Sequence, residues 1–215
     1  SLKHVDQSFS LNDIKQQFTT RISEVGIKPP QQLIADGKIH RFSTTDRPSD
    51  DAGWYVLYAD GFPAGAFGDW RTSTKETWRA DIGRSLSETE RQHLVQREQA
   101  IQQAREIDRD ARWKQARDRA EKIWAKAETE PLDHPYLGEK SVRAYGLKTN
   151  SSSLIVPLRI GQTLHSLQFI NAMGDKRFLT GGRKKGCYHL IGEPGEVLCV
   201  AEGYATAASI YEATG

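Results

Sequence analysis

The sequence predicts an α+β protein in three parts. These are a small N-terminal α+β module over residues 1–85, a long charged connecting helix over 86–130, and a β-rich region over 131–215 that closes in a strand-to-helix unit. Three observations predict this order. Alternating apolar residues and turn signals lie on both sides of the middle of the chain. About forty residues between them hold no Gly or Pro. Near the end, the apolar run at 197–201 stops at a single carboxylate, Glu202, followed by Gly203 and small helix-compatible residues.

Phe9, Leu11, Ile14, Phe18 and Ile22 recur at helical spacing after Ser10, a residue suited to cap a helix. Gly26 ends that helix, and Pro29 and Pro30 hold the chain extended. Alternation follows over 38–42 and 54–59, and Asp60-Gly61 reads as a two-residue hairpin turn into a strand over 62–67. The module closes near Trp78. Its aromatic residues, Trp54, Tyr55, Phe67 and Trp70 among them, suit the filling of a small sheet's core better than stacking on bases. Arg41, Arg47, Arg71 and Lys75 are ordinary surface cations on this reading.

Ser87-Glu88-Thr89-Glu90 is a capping box, and the helix that it opens should run toward Pro131. Its apolar positions, such as Leu94, Ile101, Ile107, Ala116, Ala120 and Ile123, form a thin stripe that suits a connector or a partner contact better than a core. Beyond residue 133 the strands over 154–160 and 163–170 should form a hairpin about Gly161-Gln162. A turn at Gly174-Asp175 delivers a strand over 176–179. A glycine-flanked basic loop over 181–186 then interrupts the sheet, and 187–192 resumes it. The apolar residues 197–201 suit a short buried strand, Gly203 lets the chain turn without a Cβ in the way, and 205–213 suit a helix packed on the sheet. A carboxylate at the end of such a strand lies where open α/β sheets place ligands, near a helix N-terminus.

Thirty Lys and Arg against 28 Asp and Glu leave a net charge of +2, so bulk charge gives no argument for nucleic acid and any basic footprint must be local. Lys176, Arg177, Arg183, Lys184 and Lys185 supply one: five cations within ten residues, broken by two glycines, a composition that lets amides and basic tips approach phosphate together. Cys187 and Cys199 have no CxxC spacing and the six histidines are scattered, which excludes a zinc ribbon and a disulfide framework. With no apolar run long enough to span a bilayer and no secretory pattern, the sequence reads as cytoplasmic and without a membrane partner.

Glu202 to Ala207, EGYATA, resembles the signature of the DNA primases of conjugative plasmids and bacteriophages, whose catalytic centre is a toprim domain. The stretches 36–42 and 67–71 are similar to the amino-terminal region of plasmid primases, and the order of basic residues over 176–188 is similar to the core of bacterial-type primases. The resemblance implies that 131–215 is the primase core and the β-rich start and first βα unit of a toprim domain. It implies a nucleotidyltransferase that makes oligonucleotide primers on a single-stranded DNA template from nucleoside triphosphates during plasmid or phage replication or conjugation. Glu202 would act as metal ligand or as acid/base, with Gly203, Tyr204 and Thr206 supporting the motif. Arg177 and Lys185 are the best-matched contacts to nucleic acid or nucleotide, although Arg183 or Lys184 could take the second place. The implied cofactor is Mg2+ or Mn2+, and a replicative helicase is a candidate partner.

A complete toprim domain would continue with an Asp-x-Asp motif on a later strand, and no such segment follows Glu202. The chain starts at Ser1 and its only methionine is Met173, which fits an N-terminal piece of a longer protein with an incomplete metal site and little or no priming activity of its own. Two other readings share these features. A toprim nuclease or topoisomerase would use the same glutamate to cleave strands. A non-catalytic nucleic-acid-binding or protein-interaction module would work through the long helix and the aromatic sheet, its binding surviving loss of Glu202 but not charge reversal of Arg183, Lys184 and Lys185.

Overall fold

The computed structural model describes residues 9–129 and 133–215. It is an α+β protein of helices and two antiparallel sheets, in two compact units that divide between Asp108 and Arg109.

In the first unit, helix α1 (Leu11–Glu24) starts at the expected cap. The Ser10 hydroxyl accepts the Asp13 N–H, and the Asp13 carboxylate accepts the Ser10 N–H in return. Four strands follow in the order β1 (His40–Phe42), β2 (Gly53–Tyr58), β3 (Ala64–Asp69) and β4 (Thr74–Arg79). Ile14, Phe18 and Ile22 of α1 pack with Tyr55, Leu57 and Phe67 on one face of the sheet, where Phe18 meets the Phe67 ring edge-on at 5.5 Å. Ile101, from helix α2 (Glu88–Lys126), packs with Trp54, Val56 and Ala66 on the other. With both faces covered, the central strands are buried apart from the half-buried Tyr58, and most of the aromatic residues are core as expected.

The β2–β3 hairpin is present but differs in its turn. Tyr58 pairs with Ala64, so the loop is 59–63 rather than two residues. Arg97 reaches that loop from α2 and donates to the carbonyls of Asp60 and Phe62, which satisfies oxygens that a tighter turn would have paired.

The capping box at the start of α2 is observed, with Glu90 N–H donating to Ser87 Oγ and Ser87 N–H to the Glu90 carboxylate. Pro131, the expected end of the helix, lies outside the described residues. The thin apolar stripe is used as core: Ile101, Ala116 and Ala120 are all buried.

The second unit holds a five-stranded sheet, β5 (Glu128–Thr129), β6 (Lys148–Asn150), β7 (Ser153–Ile160), β8 (Thr163–Asn171) and β9 (Lys176–Phe178), paired in that order. Ile160 pairs with Thr163 about the expected Gly161-Gln162 turn. One face of the sheet packs Ile155, Leu167 and Phe169 against Ala120, Ile123 and Trp124 of α2. The opposite face packs Leu154, Val156 and Ile170 against helices α3 (Pro135–Lys140) and α4 (Tyr204–Thr214). Sequence patterning did not mark α3, a six-residue helix started by His134 and Pro135.

Two expected strands are absent. Residues 187–192 make a single antiparallel bridge, Tyr188 with Arg159, and no ladder. Residues 197–201 form no strand, and Val197, Leu198 and Val200 are 80%, 65% and 88% exposed. An apolar run becomes a buried strand only where a neighbouring strand takes up its backbone groups. No described segment does so here.

Candidate nucleic-acid and metal site

Glu202 stands immediately before α4, which begins at Gly203 as its N-cap with no side-chain cap bond. The first-turn amides are therefore not claimed by a capping side chain, and the positive end of the helix favours an anion beside it. The Glu202 carboxylate is exposed and has no hydrogen-bond or ion-pair partner among the described residues. Thr206, in the same first turn, is exposed as well.

Gly203 does not play the part that its place in the sequence suggests. Its φ of −137° and ψ of 157° are extended values open to any residue. A Cβ at this position would stand 3.4 Å from Lys176 Nζ, which is ordinary contact. The finding lies in that neighbour: the Lys176 amine reaches the Glu202-Gly203 turn from the edge strand β9.

Tyr204 holds this end of α4 in place. It is 5% exposed, and its hydroxyl donates to the Arg143 carbonyl at 2.6 Å and accepts the Tyr145 N–H at 2.6 Å. Burial pushes its hydroxyl up to about 12 in pKa. Glu212, two turns further along, accepts the Arg143 N–H at 2.8 Å and the Tyr145 hydroxyl at 3.0 Å. His189 Nε2 donates to the Tyr145 carbonyl at 2.8 Å beside the Tyr204 ring. Burial holds its pKa below the usual histidine value, and the charge on Arg159 adds to the depression. Sequence reasoning gave His189 no chemistry and missed the place of Glu212. Both position the helix that follows Glu202.

The structure does not gather the five basic residues into one cluster. Lys176 lies toward α3 and α4, with its amine 6.0 Å from the Tyr136 ring centre and near Gly203. Arg177, the next residue of the strand, points to the other face, where its guanidinium lies 5.2 Å from the Phe169 ring on the α2 side. Period-2 alternation requires this split. Lys184 Nζ is 4.9 Å from the Phe178 ring, which shares the Lys176 face by alternation. Arg183 turns toward α2, 4.9 Å from the Trp113 ring, and its Nε donates to the Lys185 carbonyl at 3.1 Å. The Lys185 side chain is exposed.

The loop that separates these residues is held by Gly182. A Cβ there would collide with the buried Ser166 hydroxyl and come to 3.0 Å from the Leu179 carbonyl. Among the described residues no group of three or more His, Cys, Asp or Glu side chains is placed to hold a metal ion. Glu202 is therefore not part of a ready-made metal cluster among the described residues, and the Lys176 amine lies against the following residue, Gly203. None of the described helices is long and apolar enough to cross a membrane.

No family model matches the chain, and no solved structure matches it. Two curated relatives are each named DNA primase TraC and come from Escherichia coli. One is 33% identical over 197 residues, which covers 85% of this chain and 18% of the relative. The other is 32% identical over 200 residues, covering 85% of this chain and 13% of the relative. The chain thus spans less than a fifth of either relative, and over most of its own length it is similar to a segment of DNA primase TraC.

Proposed function

We propose that this chain is the part of a plasmid- or phage-type DNA primase that contains the start of its toprim catalytic domain. The reading is supported at family level by the similarity to DNA primase TraC. The single observation that carries the site is the exposed Glu202 carboxylate at an uncapped helix N-terminus, with the Lys176 amine lying against the following residue, Gly203.

Priming joins a nucleotide 3'-hydroxyl to the α-phosphate of an incoming triphosphate. A bound Mg2+ or Mn2+ would neutralise the phosphate oxygens. Magnesium sites often use one or two carboxylates and complete their shell with substrate phosphates and water, so Glu202 fits as one such ligand. It could equally handle the hydroxyl proton. Lys176 and Lys184, on the same face, would hold the phosphates, while single-stranded template and nucleoside triphosphates are the proposed substrates. A replicative helicase as partner belongs to this same proposal. Because no group of three or more His, Cys, Asp or Glu side chains is placed to hold a metal among the described residues, the 215-residue chain by itself should prime weakly or not at all.

The test is template-directed primer synthesis with Mg2+ and ribonucleotides, the chain being set in place of the matching segment of DNA primase TraC. The hybrid should make primers and leave the template uncut. Strand cleavage in place of priming would identify a nuclease. Strand binding with neither reaction would identify a binding module.

A further inference from the structure

We propose that the cleft between the C-terminal half of α2 and β8 is a second anion site that takes the phosphate of a nucleotide unit. It lies wholly within the second unit, has a volume of about 550 Å³, and is lined by Arg109, Asp110, Trp113, Lys114, Arg117, His165 and Arg183. Arg109, Trp113 and Arg117 follow one another at intervals of four and so share one face of the helix. This inference deepens the primase reading and rests on it only for the identity of the ligand.

Three observations carry it. Four cationic side chains line the cleft against one carboxylate, and Asp110 is already joined to Arg109 at 3.0 Å. Among the described residues, Arg117 and Arg183 form no ion pair with a carboxylate, so their charge is open to an incoming anion; Lys114 holds only an exposed i,i+4 pair with Asp118, which is weak. The guanidinium groups are also pre-placed. Arg109 lies 4.8 Å and Arg183 4.9 Å from the Trp113 ring centre, and Arg183 is further tied to the Lys185 carbonyl. Fixing an arginine beforehand removes much of the ordering cost of gripping a phosphate.

His165 reports the same field. Burial first, then the charges of Arg183 and Arg117, hold its pKa below the usual value. The field of Arg183 and Arg117 thus disfavours a charge on His165, and the net positive charge of the cleft comes from its arginines and Lys114. A volume of this size is too large for a lone phosphate and falls in the range of small-molecule sites. A nucleotide fits it, either free as a triphosphate or as one unit of a single strand.

The experiment uses the 215-residue chain. Binding of a fluorescein-labelled oligothymidylate is followed by anisotropy across a salt series, and binding of ATP by calorimetry. The wild type is compared with Arg117→Ala/Arg183→Ala and with Lys114→Glu/Arg117→Glu, the latter leaving the glycine-flanked loop intact if Arg183→Ala disturbs it. Oligonucleotide affinity should fall about tenfold, and the slope of log K against log salt should shrink by about 0.7 for each phosphate that the protein ceases to neutralise. Loss for the oligonucleotide alone assigns a strand, and loss for ATP also assigns a free nucleotide. Affinities within twofold of wild type in both variants, or no binding of either ligand by the wild type, would overturn the proposal. Because the readout is binding, its failure leaves the Glu202-dependent priming of the hybrid to stand or fall separately.

Discussion

The Tyr204 hydroxyl is locked to the Arg143 carbonyl at 2.6 Å, and this bond, with the Tyr145 N–H that the same oxygen accepts, fixes the first turn of α4 behind Glu202. The tyrosine of the EGYATA stretch therefore supports the site from within. Tyr204→Phe leaves a carbonyl and an amide short of their partner. It should cost about 1–3 kcal/mol in urea unfolding, and a stability equal to wild type would show that the bond is not made.

The same residue sets an alkaline limit. An unfolded tyrosine loses its proton near pH 10, whereas the folded hydroxyl holds it to about 12. The native state binds more protons in that window, so the contribution of Tyr204 is complete below about pH 10 and is lost as pH rises toward 12. Thermal melts in this range should fall less steeply for Tyr204→Phe than for wild type. Parallel slopes would contradict the assignment.

His189 sets an acid limit of opposite sign. Burial depresses its folded pKa below the unfolded value of about 6.5. Its contribution is therefore present above about pH 6.5 and is lost as pH falls through the lower folded value. His165, depressed chiefly by burial, adds in the same direction. Melts taken below pH 6.5 should decline less for His189→Gln than for wild type, and an unchanged acid slope would remove His189 from the account.

Gly182 and Gly203 should respond differently to alanine. At Gly182 the new methyl collides with Ser166, and overpacking of this kind costs about 1–3 kcal/mol. At Gly203 the backbone is extended and the methyl meets only the Lys176 amine, so the cost should stay below about 1 kcal/mol. Equal losses in denaturant titrations would contradict the placement of both turns.

How much of this was legible in the sequence depends on how local each signal is. Ser10 and Ser87 marked helix starts because a cap bond closes within three residues, and Gly161-Gln162 marked a hairpin because the turn itself sets the register. The strand expected over 197–201 failed because its apolar residues specify burial without naming a neighbour to pair with. The five cations were adjacent in sequence, yet Lys176 and Arg177 face opposite sides of the sheet, a division that period-2 alternation could have signalled. The α2 cleft was hidden for another reason. Arg109, Trp113 and Arg117 look like solvated helix charges until the loop after β9 brings Arg183 against them.

Lys176 and Arg177 offer a test of that division. Lys176→Ala should lower the priming rate of the hybrid with DNA primase TraC about tenfold, the equivalent of one charge-assisted phosphate contact. It should leave oligonucleotide binding in the α2 cleft near wild type. Arg177→Ala, on the opposite face of the strand, should leave the priming rate near wild type, and identical effects from the two substitutions would restore a single basic cluster.

The most direct measurement is the rate of primer synthesis by the same hybrid carrying Glu202→Gln, at saturating Mg2+ and nucleotide. The exchange keeps size and hydrogen-bonding capacity but removes the charge. A fall of about a hundredfold or more, with the melting temperature unchanged, is the predicted result. Priming within about threefold of the unsubstituted hybrid would contradict the assignment of Glu202 to the catalytic centre.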